Sequence, residues 1–292
     1  MKKLLLLSIT SSLLLSACQK DNNSDIFNYN TIASPNLIFI FRFDSTQTRL
    51  NNQGQLAVIP SGHAAQSPVV YGMCSQYIEI SQNANTPLGK GKILYNSPVT
   101  YAGGDTAIDF SKEMIRRNGE IFFSTPISTI SSGTYKYLRV SLAYQNYNIQ
   151  FYYNGTKTAG RLASFIGSNT YITKYKIDDS TVTVNATKKQ GYWGFETSYG
   201  VLKGQAPMGA TTVVNPIANT SPIPNGSSIV TGAFPTPLTI PRNVTSDIVV
   251  IVSLSINKSF EWKDSNGNGL YEPFAGDTLV DMGIRGMVPI VQ

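Results

Sequence analysis

Residues 134–144, Thr-Tyr-Lys-Tyr-Leu-Arg-Val-Ser-Leu-Ala-Tyr, carry the reading that decides the fold. Leu138, Val140 and Leu142 alternate there with Tyr137, Arg139 and Ser141. Successive side chains of a strand point to opposite faces, so this period of two sends the first set to a core and the second toward water or another layer. The strand pattern continues to residue 150. Upstream, Leu37-Ile38-Phe39-Ile40-Phe41-Arg42-Phe43 is apolar throughout and alternates only at its end. Residues 247–256 read as a further strand, and its first part, Asp247-Ile248-Val249-Val250-Ile251-Val252, is apolar after Asp247 and reads as buried on both faces.

Further strands are predicted over 76–81, 92–95, 120–124, 171–177 and 181–185. All are rich in Val, Ile, Thr, Tyr and Phe, and Gly, Pro, Asn and Ser clusters separate them. One short helical turn is expected at 110–117. The expected class is all-β and β-sandwich-like, of immunoglobulin-like or jelly-roll type. Residues 204–241 interrupt the pattern: they carry no charge and hold seven of the fifteen prolines. They fit a linker between a domain at 36–203 and a small C-terminal subdomain at 242–292. They fit equally a long loop within one sandwich, with edge strands near Ile229 and Leu238. About fifty residues with one long strand make a poor independent core, which favours a single β-sandwich domain over 36–292.

The densest polar cluster lies near the C-terminus, where Glu261, Asp264, Glu272, Asp277 and Asp281 surround Asp264-Ser265-Asn266-Gly267-Asn268-Gly269-Leu270-Tyr271-Glu272. Oxygen side chains at alternate positions followed by Gly can curl around a hard cation. The stretch resembles the opening of a calcium loop, with Asp264, Asn266, Asn268 and Glu272 as candidate ligands of a structural calcium. Ala275 stands where an EF-hand places its bidentate Glu, so Asp277 or Asp281 would have to close the shell. The same residues also suit a tight Asn-Gly turn without metal.

Aromatic residues crowd the middle of the chain: Tyr135, Tyr137, Tyr144, Tyr147, Tyr152, Tyr153, Tyr192 and Trp193. Rings on a β scaffold either pack a core or stack on sugar faces, and Tyr192 and Trp193 are the candidate ligand-binding pair. Hydrolytic chemistry finds little support. His63 is the single histidine, and no G-x-S-x-G elbow accompanies it. One His with so few Cys cannot build the usual zinc shells. Asp105 and Asp109 are the carboxylate pair to test for glycoside cleavage, with turn formation as the alternative role. Charged residues are sparse at 14% and form no basic face, which excludes a nucleic-acid partner.

The chain opens Met-Lys-Lys-Leu-Leu-Leu-Leu-Ser-Ile-Thr-Ser-Ser-Leu-Leu-Leu-Ser-Ala-Cys. Two lysines, an apolar run too short to span a bilayer and a small-residue site describe a secretion leader over 1–17. Leu15-Ser16-Ala17-Cys18 resembles the bacterial lipobox, which implies lipidation of Cys18, with palmitate among its acyl chains. Three acyl chains at about 0.8 kcal/mol per buried CH₂ would anchor the protein stably in a membrane. Gln19 is not the Asp of an inner-membrane retention signal, which favours the outer membrane. Gln19-Lys20-Asp21 resembles the surface-export signal of Bacteroidota lipoproteins, which implies an outward-facing protein. Residues 18–35 read as a flexible tether.

Loss of Lys2 and Lys3 with the leader takes the net charge from +6 to +4. With Cys18 lipidated, Cys74 has no disulfide partner and reads as a small buried hydrophobe. Asp44-Ser45-Thr46, Asp105-Thr106-Ala107, Asp179-Ser180-Thr181 and Asp277-Thr278-Leu279 resemble the Bacteroidota O-glycosylation acceptor, which implies modification at Ser45, Thr106, Ser180 and Thr278. Beyond its first residues the body resembles the β-rich lipoproteins of Bacteroidota. The expected role is a non-catalytic binding or structural module at the cell surface, with a glycan or another surface protein as partner. The alternative is a glycan-binding protein or a carbohydrate-active enzyme.

Overall fold

Residues 34–206 and 227–292 are described by this computed structural model. The leader 1–17, the lipobox Cys18, the export residues Gln19, Lys20 and Asp21, the tether to residue 33 and residues 207–226 lie outside them. The described residues form eighteen strands and two single-turn 3₁₀ helices. In chain order the first strands are β1 (Asn36–Asp44), β2 (His63–Gln66), β3 (Val69–Ser81), β4 (Lys92–Asn96), β5 (Val99–Thr100) and β6 (Ala107–Asp109). Then come β7 (Ile121–Pro126), β8 (Gly133–Tyr153), β9 (Thr156–Phe165), β10 (Thr170–Lys176), β11 (Thr181–Lys188) and β12 (Tyr192–Thr197). The last six are β13 (Gly200–Gln205), β14 (Ser228–Ile240), β15 (Ile248–Ser255), β16 (Phe260–Lys263), β17 (Thr278–Met282) and β18 (Gly286–Val291). The helical turn expected at 110–117 is confined to Phe110–Lys112, capped by the Asp109 side chain.

β8 organises the molecule. It spans 21 residues at the centre of a seven-stranded sheet ordered β13-β12-β9-β8-β3-β4. β14 and β9 succeed each other along one edge of β8, pairing 133–142 and 144–153 respectively, while β3 takes the other edge. Three smaller sheets pack on this one: β18-β15-β1-β7, β11-β10-β6-β5 and β17-β16-β2. Leu138, Val140 and Leu142 are fully buried with Leu37, Phe39 and Phe41 of β1 and Val250, Val252 and Leu254 of β15. Each such side chain contributes about 1.5–3 kcal/mol of apolar burial. The opposite face of β8 is covered as well, since Arg139 and Ser141 are buried. Of the two environments the sequence allowed that face, it is the second protein layer.

The inward face of β8 changes parity along its length. Leu138, Val140 and Leu142 face the first core, whereas Tyr147, Ile149 and Phe151 enter a separate core with Leu162, Phe195, Phe260, Trp262 and Met282. Register shifts in the β3–β8 ladder near Cys74 and Val70 accompany the change, as bulges that swap faces do.

Two alternatives left open by the sequence are decided by the strand pairing. The edge strands expected near Ile229 and Leu238 are one strand, β14, over 228–240. Its prolines Pro235 and Pro237 fall where pairing to β8 skips between Ala233 and Leu238, so no ladder hydrogen bond is lost. The 242–292 segment is not a separate subdomain: β15 pairs in parallel with β1, and β16 pairs with β2. Ser34–Gln292 forms one compact unit.

Candidate functional site

The core around Phe195 and Phe260 opens to the surface as an apolar cleft. Its inner part, about 340 Å³, lies between β8, β9, β12 and β13 on one side and β16, β17 and the 264–277 loop on the other. Its walls include Ile149, Leu162, Trp193, Phe195, Leu202, Phe260, Tyr271 and Met282. An outer part of about 290 Å³ adjoins it through shared walls at Phe195, Leu202 and Phe274, and adds Phe151, Tyr153 and Tyr199. Eight aromatic rings and no charged side chain line the two parts among the described residues. The inner volume falls in the range of ligand pockets, which are mostly apolar and aromatic. At the mouth Tyr199, Phe274 and Leu202 are 68%, 62% and 48% exposed.

Local sequence explains how the rings are placed. In β12 the alternation sends Trp193 and Phe195 to the cleft while Tyr192 faces the other way. Glycines make room for these rings: a Cβ at Gly204, opposite Trp193, would run into the indole, and one at Gly160 would run into the Phe195 ring. Across the cleft, Tyr271 packs edge-on against Phe260, ring centroids 5.1 Å apart, and lies 5.2 Å from Trp262. Burial, helped by the nearby Asp277 carboxylate, pushes the Tyr271 phenol up to about 12, so it stays a neutral donor. The backbone N–H of Tyr152 donates to the Tyr271 carbonyl at 2.8 Å and ties this loop to β8.

The calcium-like stretch is the frame of that loop. Asp264 accepts from the N–H groups of Gly267 at 2.9 Å and Gly269 at 2.7 Å. Glu272 accepts from the side-chain amides of Asn266 at 2.9 Å and Asn268 at 2.7 Å. Asp277 accepts from the Ser265 and Glu272 N–H groups at 2.9 and 2.7 Å. The loop's carboxylates therefore already have protein donors, as a self-capped turn requires. Among the described residues, no group of three or more His, Cys, Asp or Glu side chains is arranged to hold a metal ion.

Other predicted residues are scattered. Trp193 is half-buried in the cleft wall. Tyr192 is a correction: it is buried, its ring 5.8 Å from Phe165 and 6.0 Å from Tyr175, and offers no face for stacking on a ligand. His63 does not sit free in a loop. Its Nδ1 is 2.5 Å from Oε1 of the buried Glu261, which also binds Arg49 and, at 2.9 Å, Arg285. Arg285 in turn reaches Asp281 at 2.7 Å.

Asp109 is occupied as a cap, held below its ordinary value by Lys112, 2.8 Å away, and by the Ser111 hydroxyl, while Asp105 is exposed. Cys74 is fully buried, and burial with Glu113 nearby pushes its thiol well up, away from the reactive thiolate. Ser45, Thr106 and Thr278 are exposed, the last on the inner cleft wall. The Ser180 hydroxyl is half-buried and donates to Glu196 at 2.7 Å.

Sequence reading missed Phe195, Leu202, Tyr199 and Phe274. The available signal was the Tyr-Trp-Gly-Phe run at 192–195 followed by a turn and Gly200-Val201-Leu202, an alternating hairpin. No helix among the described residues is long and apolar enough to cross a membrane. Comparison with protein families, curated proteins and solved structures finds no match to this chain.

Proposed function

We propose that the chain is a lipid-anchored outer-membrane protein, facing the cell exterior, whose β-rich body is a non-catalytic binding module with the apolar cleft as its ligand site. The observation that carries the binding reading is the uncharged, ring-lined cleft, with buried Phe260 and Met282 in its wall. Catalysis of hydrolysis or group transfer needs acids, bases or donors aimed at the reacting atoms, and this cleft's walls carry none that is charged. The anchor rests on Leu15-Ser16-Ala17-Cys18 and the outward address on Gln19-Lys20-Asp21.

Cells fed labelled palmitate should incorporate it into the protein, and Cys18→Ser should abolish incorporation. Protease added to intact cells should remove the body of the wild-type protein; protection would place it on the periplasmic side. A glycan-binding role is the second reading. It is supported by the exposed rings of Tyr153, Tyr199 and Phe274, with Tyr153 lying 5.5 Å from Tyr199 and 5.3 Å from Phe274. A glycan array that scores binding lost on Tyr199→Ala would favour it.

A further inference from the structure

We infer that the cleft takes a linear hydrocarbon chain, the tail of an uncharged amphiphile, a ligand class that deepens the binding-module reading and rests on it. The first ground is electrostatic. With no charged side chain in either part of the cleft, a charged tail would lose its hydration and find no counter-charge. The second is hydrogen bonding. The inner wall's polar side chains are few: the Gln205 amide, whose Nε2 already donates to the Gln190 carbonyl at 2.7 Å, the Thr278 hydroxyl, the Trp193 indole N–H and the Tyr271 phenol. A sugar pushed inward would therefore leave most hydroxyls without partners, each a cost that hydrocarbon avoids. The third is shape. The inner and outer parts share Phe195, Leu202 and Phe274 and so form one continuous apolar space, which fits an extended chain with its polar end at the exposed Tyr199 and Phe274.

The test uses the full chain carrying Cys18→Ser, which bears no acyl group of its own, and the uncharged dye N-phenyl-naphthylamine as probe. Unbranched primary alcohols from octanol to tetradecanol are added as competitors. The expected result is dye binding displaced by the alcohols, with each two-carbon shortening weakening displacement about tenfold. Leu202→Glu, placing charge at a half-exposed wall position, should weaken dye binding at least about tenfold while leaving the melting temperature unchanged. Leu56→Glu, exposed and outside both parts of the cleft, should change neither.

Displacement by neutral oligosaccharides but not by alcohols would overturn the hydrocarbon assignment and leave the cleft as a binding site. Dye binding unaffected by Leu202→Glu would overturn both. Replacing residues 207–226 by a Gly-Ser linker provides the remaining arm. Much tighter dye binding by that chain would identify the chain itself as the cleft's occupant and overturn the proposal.

Discussion

Tyr153, the last residue of β8, and Phe274, in the loop before β17, meet edge to face with ring centroids 5.3 Å apart and an interplanar angle of 74°. The contact joins the end of the longest strand to the loop that Asp264 and Asp277 hold, and it lies at the mouth of the cleft. An aromatic pair of this geometry contributes about 0.5–1.5 kcal/mol when buried, and less where the rings are wet. Phe274→Ala should therefore leave global stability within about 0.5 kcal/mol of wild type. It should weaken dye binding several-fold, read by fluorescence titration beside a melting curve.

Glu261 supports a different prediction. Its buried carboxylate is shared by Arg49, Arg285 and the His63 ring. Removing one partner of a buried ion pair strands the others, at a cost of about 3–5 kcal/mol. Glu261→Gln should lose that much in urea denaturation. A loss under about 1 kcal/mol would show that water screens the cluster as it does surface pairs.

Glu113 gives the pH dependence. Burial raises its carboxyl above the ordinary 4.5. Below that value it is neutral whether the chain is folded or not, so it costs nothing. As pH climbs from that value toward the raised folded one, the unfolded chain ionises freely while the folded one must keep the proton or bury a charge, so stability falls across this window and levels off above it. Glu113→Gln should remove this loss, so the variant's urea midpoint should gain on wild type as pH rises above about 4.5. Asp44, lowered by its hydrogen bond from Thr46, and Asp109, lowered by Lys112, act with the opposite sign. They remove stability from both proteins as pH falls below the ordinary carboxylate range. Parallel curves for the two proteins would contradict the Glu113 assignment.

The 264–277 loop is expected to hold itself. With Asp264, Glu272 and Asp277 satisfied by its own N–H groups, a chelator should leave the melting temperature where calcium leaves it. Asp264→Ala should loosen the loop in either condition, seen as faster amide exchange at Gly267 and Gly269. A chelator-induced drop that disappears in Asp264→Ala would instead establish the structural calcium on Asp264, Asn266, Asn268 and Glu272.

Much of the fold was legible because its central strands are long and apolar or alternate cleanly: β1, the first half of β8 and β15 all read directly. β9 did not, since Thr156–Phe165 carries Gly160, Arg161 and two alanines in place of branched residues. Its Gly160 is there to admit the Phe195 ring, a reason that exists only once β12 lies beside it. β14 was legible only as strands near Ile229 and Leu238, because Pro235 and Pro237 between them fall in a bulge. The site was legible in Trp193 alone. Tyr192 and Trp193 are neighbours in sequence, and one pleat sends them to opposite faces, so the pair could not serve one ligand. The His63–Glu261 contact spans 198 positions, a distance no local pattern reports.

The most direct test is a crystal structure of the Cys18→Ser chain grown with dodecanol. The account predicts continuous density running from Met282 and Phe260 outward past Leu202 to the Tyr153–Phe274 contact. An empty cleft, or the alcohol bound elsewhere, would contradict it.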